Sequence, residues 1–144
     1  MSTTAQYAAQ PTLETAQTTA ANTNRDGTGA TVLISSGPAT AAGTGVGKRI
    51  TRISMARVVA TAVAYPANVI CFYISYDGGV TKRLLTEWPI PTYTGSTTNA
   101  QSIVYALDMT GFSLPGSTGG IAVQLYASSQ VAATTNITVE SALL

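Results

Sequence analysis

Beside its hydroxyl side chains, the chain offers six carboxylates, one cysteine, seven basic side chains and no histidine for acid–base, nucleophilic or metal chemistry. The carboxylates are Glu14, Asp26, Asp77, Glu87, Asp108 and Glu140, and they are spread along the chain. Glycoside hydrolysis needs two of them facing each other across the substrate, and nothing in their spacing arranges that. Without histidine a Ser-His-Asp relay cannot be built, and zinc loses its usual ligand. Cys71 has no partner for an intramolecular disulfide and lies inside an apolar run, so the expectation is a buried free thiol rather than a nucleophile. The oxygens of Asn22, Asn24 and Asp26 are hard donors, but one carboxylate is too few for Ca²⁺ and the distal glutamate of an EF-hand loop is missing. The run Ala39 to Lys48, ATAAGTGVGK, resembles a phosphate-binding loop only superficially: Ala42 stands where a Walker loop needs glycine, and Arg49 where it needs serine or threonine. These residues predict a protein that is not an enzyme, with no catalytic, metal or cofactor site.

Binding is the remaining class. The net charge is +1 and only 9% of residues are charged, so no field is strong enough to hold nucleic acid or an anionic membrane. No apolar run reaches the length of a membrane span, and MSTTAQYAAQP has neither the basic start nor the apolar stretch of a secretory signal. A 45% hydrophobic content with so little charge suits a strand-rich subunit whose Thr, Ser and Ala surface meets neighbours in an assembly. Four of the cations, Lys48, Arg49, Arg52 and Arg57, crowd one strand candidate. The three arginines read as a solvated sheet edge or as contacts to a partner subunit, and Tyr7 and Leu13 as isolated anchors of an N-terminal arm. A different class of function, carbohydrate binding on an aromatic platform, would use Tyr65, Tyr76, Tyr93 and Tyr126.

The elements that must position these groups are strands. Val69 to Ile74 is an almost unbroken apolar run rich in β-branched and aromatic residues, which predicts a strand covered on both faces. Asp77-Gly78-Gly79 turns the chain, and Val80 to Ile90 returns with period-two alternation that places Trp88 in the core. Further strands are predicted over 30–36, 49–61, 102–107, 121–126 and 136–144, with a bulge or kink in 49–61 where the alternation slips. Asp108 to Gly120 reads as a loop. Residues 1–24 are Thr, Ala and Gln with few large apolar side chains, which predicts an extended arm ahead of a domain over 25–144. Roughly seven or eight strands at this spacing predict an antiparallel, jelly-roll-like β-sandwich.

The stretch TAQTTAANTNRDGTG, then a strand, then KRITRI, then YDGG and the return strand LLTEWPIP together resemble small structural virion proteins of tailed bacteriophages and prophages. The likeness covers about the first ninety residues, and ANTNRDGTG from Ala21 to Gly29 is its most specific piece. The resemblance implies a capsid decoration or cement protein, a homo-oligomer such as a trimer, bound to the major capsid protein or another virion protein. It also implies a virion location after assembly in the host cytoplasm, with a tail or fibre-base component as the alternative placement.

Overall fold

A computed structural model describes residues 11–36, 46–57, 64–94, 103–117 and 119–143. Among these there is no helix, and ten strands follow in order: β1 (Pro11–Thr18), β2 (Thr31–Ser35), β3 (Lys48–Arg57), β4 (Ala64–Tyr65), β5 (Asn68–Ser75), β6 (Arg83–Ile90), β7 (Tyr93–Thr94), β8 (Ile103–Leu114), β9 (Gln124–Ser129) and β10 (Thr135–Leu143). Eight of them build two four-stranded sheets, A in the order β1-β10-β3-β8 and B in the order β2-β9-β5-β6, while β4 and β7 pair separately. The fold is an all-β sandwich of two antiparallel sheets. Its pairing is nested: β1 with β10, β2 with β9, β3 with β8 and β5 with β6. The chain is thus one long hairpin rolled on itself, with the β5–β6 turn at its tip.

Period-two alternation decides which side chains meet between the sheets. On β10, Ile137 and Val139 are fully buried, and on β3 Ile53 and Met55 face them from the next strand. Sheet B answers with Ile70, Phe72, Ile74 and Leu125. Each such side chain contributes about 1.5–3 kcal/mol by leaving water, less the cost of ordering it. Around Thr51 the register of β3 slips against both neighbours, between Ile50 and Arg52 and between Glu140 and Ser141. The bulge expected in this strand is there, and it re-aims the side chains without carrying β3 into the other sheet.

Several expectations change. Pro11–Thr18 does not extend away as an arm; it pairs along its whole length with β10, so the sandwich includes these residues, ahead of the expected boundary at residue 25. A strand this poor in large apolar groups holds because β10 supplies its ladder partner and Ala16 packs on the core. β3 is no edge: it lies between β10 and β8. The stretch read as a loop from Asp108 continues β8 to Leu114, across a register shift in which Gly111 takes φ 89°. That shift lets Leu107 and Met109 on one parity, and Phe112 and Leu114 on the other, all pack inward. Trp88 is half-buried against the core rather than inside it.

Candidate functional site

The two sheets treat their outer faces differently, and that difference locates the surface available for binding. On sheet B the residues opposite the core, Cys71, Tyr73 and Tyr126, are themselves buried and form a second, smaller cluster with Ala30 and Val69. Glu87 and Gln130 lie against Cys71, Lys82 lies over the Tyr126 ring, and Tyr73 is covered by the segment 19–30 that precedes β2. Its sequence explains how it holds its shape: the Asp26 carboxylate accepts the Thr28 amide at 2.8 Å, the Asn22 side chain accepts the Asn24 amide at 3.0 Å, and the Asn22 side-chain NH₂ donates to the Thr28 carbonyl. Gly27, at φ 79°, lies so close to sheet B that a Cβ there would sit 2.7 Å from the Cβ of Lys82. Three ties fasten this strap: the Tyr73 hydroxyl donates to the Asn24 carbonyl at 3.0 Å, the Asn22 amide donates to the Ser129 carbonyl at 2.7 Å, and Arg25 pairs with Glu87. Burial raises the Tyr73 and Tyr126 phenols above their ordinary pKa, as expected for rings beneath a cover. The prediction that β5 is covered on both faces holds, and ANTNRDGTG supplies most of that strap.

Among the described residues no segment covers the outer side of sheet A. Leu13, Thr15 and Gln17 of β1 line up with Glu140, Thr138 and Asn136 of β10, then with Arg52, Ser54 and Ala56 of β3. Asp108 and Ala106 of β8 extend the first two of these rows. The charges gather in one row, where Arg52 pairs with Glu140. On the Thr15–Gln17 side of that row the face is small and neutral, with a shallow basin of about 580 Å³ bounded by Thr15, Gln17, Ala56, Asn136 and Thr138, while Arg49 stands exposed on the other side. Leu13 stands 67% exposed at its margin.

Of the residues singled out by sequence, Leu13, Arg49 and Arg52 belong to sheet A, with Leu13 and Arg52 on its outer face and Arg49 exposed. Arg57 does not join them. It points inward, 1% exposed, donates to the Pro66 carbonyl at 3.0 Å and lies 4.8 Å from the Tyr65 ring centre, so it is interior and not an interface contact. Tyr7 and the Tyr93 side chain fall outside the described residues. Tyr76 is exposed, Tyr65 is half-buried beneath Arg57, and Tyr126 is only 5% exposed. An aromatic platform is therefore not assembled from Tyr65, Tyr76 and Tyr126. Thr15, Asn136, Thr138 and Ala56 drew no notice in the sequence because small neutral residues carry no chemical signature. The alternation of Asn136, Thr138 and Glu140 with Ile137 and Val139 was the usable signal.

All six carboxylates hold structure. Glu14 pairs with Lys48, Glu87 with Arg25 and Glu140 with Arg52, while Asp26, Asp77 and Asp108 each cap a turn or bulge. Asp77 accepts the Thr81 amide at 2.8 Å and the Ser75 hydroxyl at 2.7 Å, which lowers its pKa to about 2. Hydrogen bonds from the Thr28 amide and from the Thr110 hydroxyl and amide lower Asp26 and Asp108 in the same sense. Among the described residues no three of His, Cys, Asp and Glu come together as a metal site. Comparison with protein-family models, with curated proteins and with solved structures produced no match to this chain.

Proposed function

We propose that the chain is a non-enzymatic structural protein of a tailed-bacteriophage particle, a decoration or cement subunit that docks on the head lattice against the major capsid protein as a homo-oligomer. The observation that carries this reading is the contrast between the sheet faces: one sealed by a strap, the other uncovered among the described residues and shallow, with its charges gathered towards one end and a neutral Thr, Ser, Asn and Ala half beside them. A face of Thr, Ser, Asn and Ala can be buried against a neighbour without stranding unpaired charge, the costliest part of forming an interface. Nested pairing of eight strands across two antiparallel sheets favours a jelly-roll winding, an architecture used in capsids, and so supports the same reading. The three bases of the strap's stability, Asn22, Asp26 and Gly27, lie in the segment that most resembles virion proteins.

Particles from an induced culture, separated into heads and tails and analysed by mass spectrometry, test the proposal. The expected outcome is this chain in the head fraction at copy numbers comparable with the capsid subunit. Confinement to tail fractions would overturn the head placement, and absence from both would overturn the virion role.

A further inference from the structure

An antiparallel sandwich with two open sheets has four edge strands, here β1, β8, β2 and β6. Free edges invite pairing with another chain unless they are guarded by charge, proline, bulges or shortness. Three of these edges are guarded. β2 is five residues long and its register against β9 is irregular. β6 carries Arg83, Glu87 and Pro89 and has a register shift against β5. β8 is broken by the shift around Gly111 and carries Asp108. β1 differs: eight residues long, it keeps unbroken register with β10 from Pro11↔Ala142 to Thr18↔Thr135. Its single proline is at the first position, and its single charge, Glu14, is occupied by Lys48. Among the described residues no backbone bond reaches the far side of β1.

We infer that the β1 edge is a self-association surface whose occupant is the β1 strand of a second copy, paired antiparallel about a twofold axis at Thr15. Register selects this partner. Outward residues must oppose outward residues, so the axis has to pass through a residue rather than between two. An axis at Glu14 sets two carboxylates opposite each other, which is unfavourable. An axis at Ala16 uses only the last part of the strand. At Thr15 the strand pairs from Thr12 to Thr18, with Leu13 opposite Gln17, Glu14 opposite Ala16, and Thr15 opposite its own copy, a favourable threonine pair. Such a contact is isologous and closed, so it produces a dimer rather than a filament, and it joins two A sheets into one eight-stranded sheet with a continuous bare face. A net charge of +1 per chain offers little repulsion between copies.

This deepens the proposed function and rests on its homo-oligomeric part, but the experiment needs no particles. Sedimentation velocity of the full chain should show twice the mass of one chain, falling by half for Thr15→Lys and for Thr15→Glu, each of which sets like charges against each other at the axis. Mixing the two variants should restore the doubled mass, because only at a twofold axis does a residue meet itself. Thr15 is exposed, so the circular dichroism of both variants should match the parent, and any fall in melting temperature should vanish on dilution of the parent. Hydrogen exchange gives a variant-free check: β1 amides facing away from β10 should gain protection as protein concentration rises. A monomeric parent, an oligomer indifferent to Thr15→Lys, or variants that dissociate without being rescued on mixing would each overturn the inference. None of these results would bear on presence in particles, which the head and tail fractions decide separately.

Discussion

Asp77 shows how much one half-buried side chain can organise. Its carboxylate gathers the Thr81 amide and the Ser75 hydroxyl, Ser75 in turn accepts the Gly79 amide at 2.8 Å, and the glycines take the positive φ the turn requires. These bonds favour the ionised form, so the folded pKa lies below the unfolded value of 3.8. The contribution to stability is therefore complete above the unfolded pKa and disappears as pH falls through the folded one. Asp26 and Asp108 are lowered too and act with the same sign. Urea denaturation midpoints should stay level from neutrality down to about pH 5 and then fall steadily towards about pH 2. Asp77→Asn should lower the midpoint at neutral pH and flatten part of that acid slope; an unchanged slope would show that the turn does not depend on the charge.

At the scale of elements, the strap makes a prediction that Cys71 can report. The thiol is fully buried, near the side chains of Gln130 and Glu87, and Glu87 is held by Arg25 of the strap. Tyr73→Phe, which removes the hydroxyl bond to the Asn24 carbonyl, should cost about 1 kcal/mol. Arg25→Ala should change global stability little, as an exposed pair does. Both variants should nevertheless speed labelling of Cys71 by a thiol reagent under native conditions, because strap opening is local rather than global. Equal rates in parent and variants would mean that the strap does not gate access. The β5–β6 hairpin was legible in the sequence because its signals are local: an apolar β-branched run, a turn rich in glycine and an alternating return. The second half of β8 was not, since the shift at Gly111 moves the inward parity between Met109 and Phe112 and hides the alternation. β1 was read as an arm because its stability comes from β10, more than a hundred positions away, and no local pattern carries that debt. The bare face of sheet A was silent for a related reason: it is defined by register, not by residue chemistry.

At the scale of the whole molecule, β1 should behave as structural wall rather than appendage. Removing residues 1–18 leaves β10 as an exposed edge, so the truncated protein should denature at a clearly lower urea concentration; a midpoint equal to the parent's would show that the β1–β10 ladder contributes nothing. Ile137→Ala, in the strand between β1 and β3, should cost about 2–5 kcal/mol, measured the same way. Nested pairing also imposes an order on biosynthesis. Of the eight sandwich strands, only β5 and β6 neighbour each other both in sequence and in a sheet; every other sandwich strand must wait for a partner made later or earlier. β10 follows the other nine described strands in the chain and separates β1 from β3. On the ribosome, the nascent chain can form its central hairpin, but sheet A has no middle until Thr135–Leu143 clears the exit tunnel, so a message cut short before those codons would leave half a sandwich and a quarry for proteases rather than a smaller version of the same protein.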